Sequence, residues 1–142
     1  MAISETIRDL LADDATLAAL LVGGIYSDEQ TGRNGISRVT TPDAYSDFLL
    51  SCAIVKAGDL KAQAAIRDSL GGARQTLSVY LYDDGDNGYG TILTARDWIV
   101  GLLDRVWIDG AGYMRRVSGA EELRDPKLNN AALVRIDFAV IR

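Results

Sequence analysis

The segment that most constrains the fold is an apolar stretch predicting a helix from about Thr91 to Arg105. At 100° per residue its side chains form an inward stripe, which Trp98 widens on one side and two aliphatic residues widen on the other. Such a helix is expected to contact a second body besides one small sheet, and we expect that body to be another copy of the chain. Arg96 projects among the apolar flank, so we expect it to pair with a carboxylate or to extend to the surface. The stripe consists of Ile92, Ala95, Ile99, Leu102, Leu103 and Val106, widened by Leu93 and Val100.

Length and composition predict one domain over residues 1–142, with a core that needs neither metal nor disulfide. The longest apolar runs, Leu17–Val22 and Trp98–Leu103, are too short to cross a bilayer. No basic region followed by a hydrophobic stretch opens the chain, so we predict neither a membrane segment nor a secretion signal. The single cysteine, Cys52, is expected to be a small buried hydrophobe.

Charge and the lack of histidine argue against several functions. The net charge of −5 disfavours a protein that grips nucleic-acid phosphates, but it suits a surface past which DNA slides without binding. The absence of histidine removes the usual general base, metal ligand and activator of a nucleophile. We therefore predict no catalytic residue, no metal, no cofactor and no enzymatic activity.

The first third of the chain predicts two short helices followed by a long loop. Ser4 is a typical N-cap for a helix through about Ala12. A second helix should run from Asp13 or Asp14 to Leu21, and Gly23-Gly24 should end it. After a short strand near Ile25-Tyr26, the polar composition of residues 27–47 predicts a long loop that is functional or mobile.

The remaining patterns predict strands and the fold class. Residues 58–74 are predicted to form a second long polar loop. Within it, residues 59–70 fit either a helix or a mobile arm, and the sequence does not decide between the two. The order of elements predicts an α+β fold, with a mainly antiparallel sheet packed by an N-terminal helix and one long central helix. Strands are expected at Leu49–Ala57, Thr76–Tyr82 and Tyr113–Ser118, followed by a last strand with Val134, Ile136, Phe138 and Val140 facing inward. The second of these strands alternates, with Leu77, Val79 and Leu81 on one face and a less apolar face that carries Thr76, Ser78, Tyr80 and Tyr82.

Two sequence patterns suggest metal chemistry. The turn DDGDNG, beginning at Asp83, places carboxylates close together, but its register does not supply the ligands of an EF-hand. Pro42-Asp43 followed by Asp59-Leu60-Lys61 is similar to the PD-(D/E)xK motif of metal-dependent nucleases. In that family the two acids, here Asp43 and Asp59, hold a divalent metal, and the lysine, here Lys61, assists the attacking water. Gly58 is expected to interrupt the strand just before this element.

The C-terminal third is comparatively basic, and two interpretations of it remain open. One is an ordinary solvated sheet face with local ion pairs. The other is one half of a charge-complementary interface, whose other half is the acidic turn of a neighbouring subunit. The residues expected at a subunit or partner interface are Trp98, Arg96, Asp83, Asp84, Asp86, Arg115, Arg116 and Arg135.

The overall pattern of the chain resembles a family of small phage proteins. The segments LLADDATLAALLVGGIY, TTPDAYSDFLLSCAIV and TILTARDWIVGLLD, in this order, resemble the tail terminator or tail-completion proteins of long-tailed bacteriophages. The resemblance implies an α+β subunit that closes into a homo-hexameric ring without catalytic residues. It also implies that the ring caps the tail tube and joins it to the head connector.

These implications set the expected partners and location. The partners are other copies of the chain, the tail tube protein and the head–tail connector or stopper protein, with DNA passing through unbound and no membrane. The location is the tail or neck of the virion, and the host cytoplasm during assembly. A head-side connector or stopper protein remains an alternative function, and a PD-(D/E)xK-like nuclease is another.

Overall fold

The computed structural model describes residues 2–32, 34–62 and 73–141. Its strands form a six-stranded sheet in the order β1-β2-β3-β6-β5-β4. The elements in chain order are α1 (Ile3–Ala12), α2 (Ala15–Leu20), β1 (Ile25–Ser27), α3 (Asp28–Thr31), β2 (Cys52–Ala62), β3 (Ala73–Asp83), α4 (Gly90–Leu103), β4 (Val106–Ile108), β5 (Gly112–Asp125), a 3₁₀ helix (Pro126–Leu128) and β6 (Ala131–Ile141).

The sheet confirms the predicted α+β class and its mainly antiparallel character. β1 runs parallel to β2, and every other neighbouring pair is antiparallel. The alternation predicted for β3 places Leu77 opposite Phe138 and Val79 opposite Ile136. Directly opposed residues share a face of the sheet, so these buried side chains form the floor of the core.

The helices α1, α2 and α4 cover this core face. α4 buries Ile92, Ala95, Ile99 and Leu103, and Leu93, Leu102 and Val100 pack beside them. The predicted stripe is therefore confirmed within the helix, but its last member, Val106, was assigned wrongly. α4 ends at Leu103 because Asp104 has extended dihedral angles, and Val106 begins β4, where it is 37% exposed.

Among the described residues, one segment covers part of the opposite face of the sheet. Residues 34–51 fold over the end of the sheet where β2 begins, and there they bury Ile36, Ala44 and Leu49 against sheet residues including Ile54 and Tyr82. Tyr82 was expected on the less apolar face, yet it is buried because this segment lies over it. The predicted loop 27–47 therefore contains the short helix α3 and contributes to a second core.

Two N-terminal boundaries test the predicted helix caps. The prediction of Ser4 as an N-cap is wrong, because Ala2 occupies that position. Ser4 lies inside α1, where its buried Oγ donates to Asp28 Oδ1 over 2.6 Å and so ties α1 to α3. Of the two starts expected for the second helix, Asp13 and Asp14, the structure has Asp14 as the N-cap of α2, and its Oδ1 accepts from the Leu17 backbone N–H.

Other strands differ in extent from the predictions. The sheet extends into both ends of the expected loop 58–74, because β2 continues to Ala62 and β3 begins at Ala73. Residues 63–72 lie outside the described part, so the choice between helix and mobile arm stays a prediction. β5 continues well past Ser118, with register shifts after Arg116 and after Ala120. These bulges interrupt the alternation that sequence periodicity requires.

A pair of glycines gives a test of the β5–β6 packing. A Cβ at Gly119 would lie 2.6 Å from the Arg135 carbonyl oxygen, whereas a Cβ at Gly101, inside α4, meets nothing within 4 Å. We expect Gly119→Ala to lower the free energy of unfolding by about 1–3 kcal/mol, since backbone must move. Gly101→Ala, the matched control, should raise it by about 0.5–1 kcal/mol. Urea unfolding measures both, and equal effects would contradict the close approach.

Candidate functional site

Trp98 lies on the outer side of α4 and is held in place there. Its side chain is 45% exposed, and its Nε1 donates to Asp14 Oδ1 over 3.0 Å. A shallow depression beside it is lined by Asp97, Gly101 and Leu102. The carboxylate of Asp14 thus serves α2 as a cap and α4 as an acceptor, and Trp98 presents a fixed aromatic surface.

Arg96 satisfies its charge within the subunit, as the sequence predicted. Its guanidinium donates to Asp97 from Nε (3.0 Å) and Nη2 (2.8 Å), and its Nη1 pairs with Glu121 of β5. The side chain is largely covered. Arg96 therefore ties α4 to the sheet, and its charge is not available to another molecule in this arrangement.

The acidic turn, residues Asp83–Gly88, organises itself through its own backbone. Asp83 is buried, and its Oδ1 accepts from the Asp84 backbone N–H over 2.8 Å and from Asn87 Nδ2 over 3.1 Å. Asp84 Oδ1 in turn accepts from the Asp86 backbone N–H over 2.9 Å. Asp83 has a structural role, and Asp86 is an exposed carboxylate of the turn.

Arg135 is likewise engaged inside the subunit. Its Nε donates to Asp137 Oδ2 over 3.1 Å, and Asp137 also accepts from Ser78 Oγ (2.7 Å) and Ser118 Oγ (2.8 Å). This group spans β3, β6 and β5 on the sheet face that carries no helices. For Arg135, the interpretation as a local ion pair is the one that the structure supports.

The structure does not bring the acidic turn and the two predicted arginines together. Arg115 and Arg116 are exposed on β5, where Arg115 pairs with Ala139 and Arg116 with Phe138, toward the end of β6. The acidic turn follows Asp83, which pairs with Ala132 at the beginning of β6. Because a strand rises about 3.3 Å per residue, these groups lie about 20 Å or more apart. One subunit cannot join them, although two subunits can.

The sequence missed an exposed apolar row at the basic end of the sheet. Trp107 of β4 pairs with Tyr113 of β5, which pairs with Ile141 of β6, and Ile141 pairs with Arg74 of β3. Opposed residues share a face, so Trp107, Tyr113 and Ile141 form one continuous line, which we call the aromatic row. Trp107 is 62% exposed, and the other two are more than one third exposed. Because the sequence pattern assigns Val106 to the helix, it predicts neither β4 nor this row.

The sequence also missed a concave surface at the acidic end. Asp47, Phe48, Asp84 and Asp86 line a depression of about 210 Å³, which we call the acidic pocket. Phe48 is 62% exposed at its rim. Only folding of residues 34–51 over the sheet brings Asp47 and Phe48 beside a turn that lies far along the chain. No local sequence signal indicates such a contact.

Of the nuclease-like residues, Asp59 and Lys61 lie on β2, whereas Asp43 lies in the segment 34–51. β2 continues through Asp59 and Lys61, but its register against β3 shifts between Ala57 and Leu60, so Gly58 marks an irregularity in the strand rather than its end. Asp43 is close enough to Tyr26 to help raise the pKa of its phenol, after the larger effect of burial. Tyr26 pairs with Ile54 and its hydroxyl donates to Gly23, so its ring leans away from Asp59. The strand separates Ile54 from Asp59 by about 16 Å.

Two further findings concern metal and membrane. Among the side chains that the structure describes, no group of three or more acidic or thiol ligands is arranged to hold a metal ion. None of the helices in residues 2–32, 34–62 and 73–141 has the length and apolarity needed to span a bilayer. Cys52 is fully buried, as predicted, and burial raises the pKa of its thiol.

Comparisons with known proteins find a likeness in fold. No protein-family model and no curated protein matches the chain. Among solved structures, one chain of "Virion of native gene transfer agent (GTA) particle" superposes with a TM-score of 0.65. The match covers 99% of this chain and 93% of that chain, at 17% sequence identity. The two chains share a fold. At this identity the likeness concerns the fold alone, and it extends over essentially the whole chain.

The group around Asp137 yields a stability prediction. Asp137→Ala should lower the free energy of unfolding by about 1–3 kcal/mol, because Ser78, Ser118 and Arg135 lose their shared acceptor. Asp109→Ala, which removes an exposed carboxylate from a turn, is the matched control and should change it by less than about 0.5 kcal/mol. Chemical denaturation compares the two, and equal losses would contradict the role assigned to Asp137.

The carboxylate of Asp14 yields a pH prediction. The Leu17 N–H, opposed by some desolvation and aided by Trp98 Nε1 and the Thr16 N–H, lowers the pKa of Asp14. A carboxyl whose folded pKa is depressed stabilises the fold above its unfolded pKa, about 3.9, and loses this contribution as the pH falls. As the pH falls from 6 to about 3, the free energy of unfolding of the wild type should therefore decrease more than that of Asp14→Asn. A difference independent of pH would refute the assignment.

Proposed function

We propose that this protein is a structural component of a phage-like virion and acts as its tail terminator. In this proposal the subunits form a homo-oligomeric ring, hexameric in the family that the sequence resembles, which caps the tail tube and joins it to the head connector. The observation that carries the proposal is the fold match with a chain of a gene transfer agent virion over 99% of this chain. It agrees with the independent resemblance of the sequence to tail terminator proteins.

The exposed surfaces support assembly with further subunits. Trp98, Trp107 and Phe48 are large apolar side chains that stay open to solvent on three different parts of the subunit. Aromatic side chains are enriched where proteins meet one another. A subunit inside a ring contacts two neighbours and the layers above and below, so several separate apolar surfaces suit this role.

The distribution of charge supports a ring through which DNA passes. Each subunit has a net charge of −5, so a ring of several copies carries a large negative charge. A negatively charged wall repels phosphates and keeps passing DNA from adhering. In this proposal the protein acts by assembly rather than by catalysis, in the virion and, before that, in the cytoplasm of the host.

The decisive experiment mixes the purified full-length protein with the tail tube subunit encoded by the same genome. Negative-stain microscopy should show tubes that carry a ring at one end and stop elongating, whereas tubes alone should be uncapped. Native mass spectrometry of the capped material should give a ring mass that is an integer multiple of the subunit, six in the family that the sequence resembles.

Two results would count against the terminator. Tubes that stay uncapped, with a protein that remains monomeric in their presence, would contradict a ring at the tail end. Binding to the purified head connector but not to tubes would instead support the head-side connector or stopper function.

A further inference from the structure

None of the residues that the structure describes covers the aromatic row. It lies across β4, β5 and β6 at the end of the sheet that residues 34–51 do not cover. Trp107 stands on the short edge strand β4, so solvent reaches it from the face and from the side. A line of three exposed apolar side chains on a sheet is costly to leave in water. The charges beside the row determine which partner it suits.

Two exposed arginines adjoin the row on β3 and β5. Arg74 continues the row by pairing with Ile141, and Arg115 lies in the next position of the sheet, opposite Ala139. Both arginines are exposed, and among the side chains that the structure describes neither has an ion pair. Tyrosine, tryptophan and arginine are also the residue types that contribute most at protein interfaces. The row therefore suits an acidic partner with an apolar centre.

The other end of the same subunit has this chemistry. The acidic pocket presents the carboxylates of Asp47, Asp84 and Asp86 around a concave surface that has Phe48 at its rim. Arg124, a cation close to this end, is already engaged by the carbonyl oxygens of Gly85 and Asn130. The pocket is thus complementary to the aromatic row in the sign of its charge and in its apolar rim.

We propose that the aromatic row of one copy docks against the acidic pocket of the next copy, with Arg74 and Arg115 facing Asp84 and Asp86. The inference rests on the proposed function, because it names the contact that would build the ring. The two surfaces lie about 30 Å apart along β3, from Arg74 to Asp83, so no copy satisfies its own row. The contact is head-to-tail, and such a contact closes into a ring when its rotations sum to a full turn.

A charge exchange tests the pairing. Arg115→Glu and Asp86→Arg should each weaken self-association about tenfold or more, as judged by sedimentation and native mass spectrometry, alone and with the tube subunit. Mixing the two variants should restore assembly in rings where they alternate. At one contact Arg115 then meets Asp86, as in the wild type, and at the next contact the two introduced charges, which are also of opposite sign, meet each other. Glu29→Lys makes the same kind of charge change on the exposed surface of α3 and should assemble like the wild type.

Cysteine cross-linking tests the proximity of the two surfaces without removing a charge. Ser46→Cys introduces a thiol beside the acidic pocket. Thr76→Cys introduces one on β3, two residues after Arg74 and therefore on the same face of the sheet as the aromatic row. Thr76 lies about 23 Å along β3 from Asp83, where the acidic turn begins, so a short bismaleimide can join the two introduced cysteines only between copies. The native Cys52 is buried and should not react. The double variant should give a ladder of covalent multimers, and neither single variant should do so.

The outcomes separate this inference from the proposed function. If the wild type caps tubes but the charge variants assemble equally well and the double-cysteine variant gives no ladder, the docking is wrong and the terminator function stands. If a single-cysteine variant alone gives dimers in high yield, the contact is two-fold and the head-to-tail docking is wrong. If the wild type stays monomeric even with the tube subunit, both proposals are overturned.

Discussion

The antiparallel pairing of β3 with β6 is the constraint on which the rest of the structure depends. Its register runs from Arg74 opposite Ile141 to Asp83 opposite Ala132, and it determines both the faces and the ends of the sheet. A slip of one residue would turn Leu77 and Val79 away from the helices and would expose the core. The same register places the acidic turn at one end of the sheet and the aromatic row at the other. The buried core and the separation of the two charged surfaces therefore share one cause.

The parts of the fold that follow a local period could be predicted from the sequence. The helical period around Ile99 gave α4 and its buried side, and strict alternation gave β3 and β6 with their inward faces. The ends of elements were less predictable, since Val106 continues the apolar pattern of α4 although the helix has already ended. Local pattern also could not show that residues 34–51 would cover Tyr82, because that contact joins distant segments of the chain.

The candidate surface was only partly accessible to sequence reasoning, for a physical reason. Charge composition indicated that carboxylates and guanidinium groups would meet, but it could not show which of them meet within one subunit. The strand register is needed to see that Arg96 pairs with Glu121 and Arg135 with Asp137. These two arginines are therefore engaged inside the subunit and are not candidates for an interface. Arg115 and Asp86 remain exposed, at opposite ends. An account of assembly therefore depends on these residues and on the aromatic row, which became visible only when β4 was seen to pair with β5.

The central claim is that another copy of the chain covers the aromatic row. Quenching of Trp107 fluorescence by acrylamide tests this most directly, in a Trp98→Phe variant in which Trp107 is the remaining tryptophan. Trp107 is exposed in the lone subunit, so quenching should be efficient in the monomer and should fall severalfold as the protein assembles. Equal quenching of Trp107 in the monomer and in the complete assembly would contradict the account.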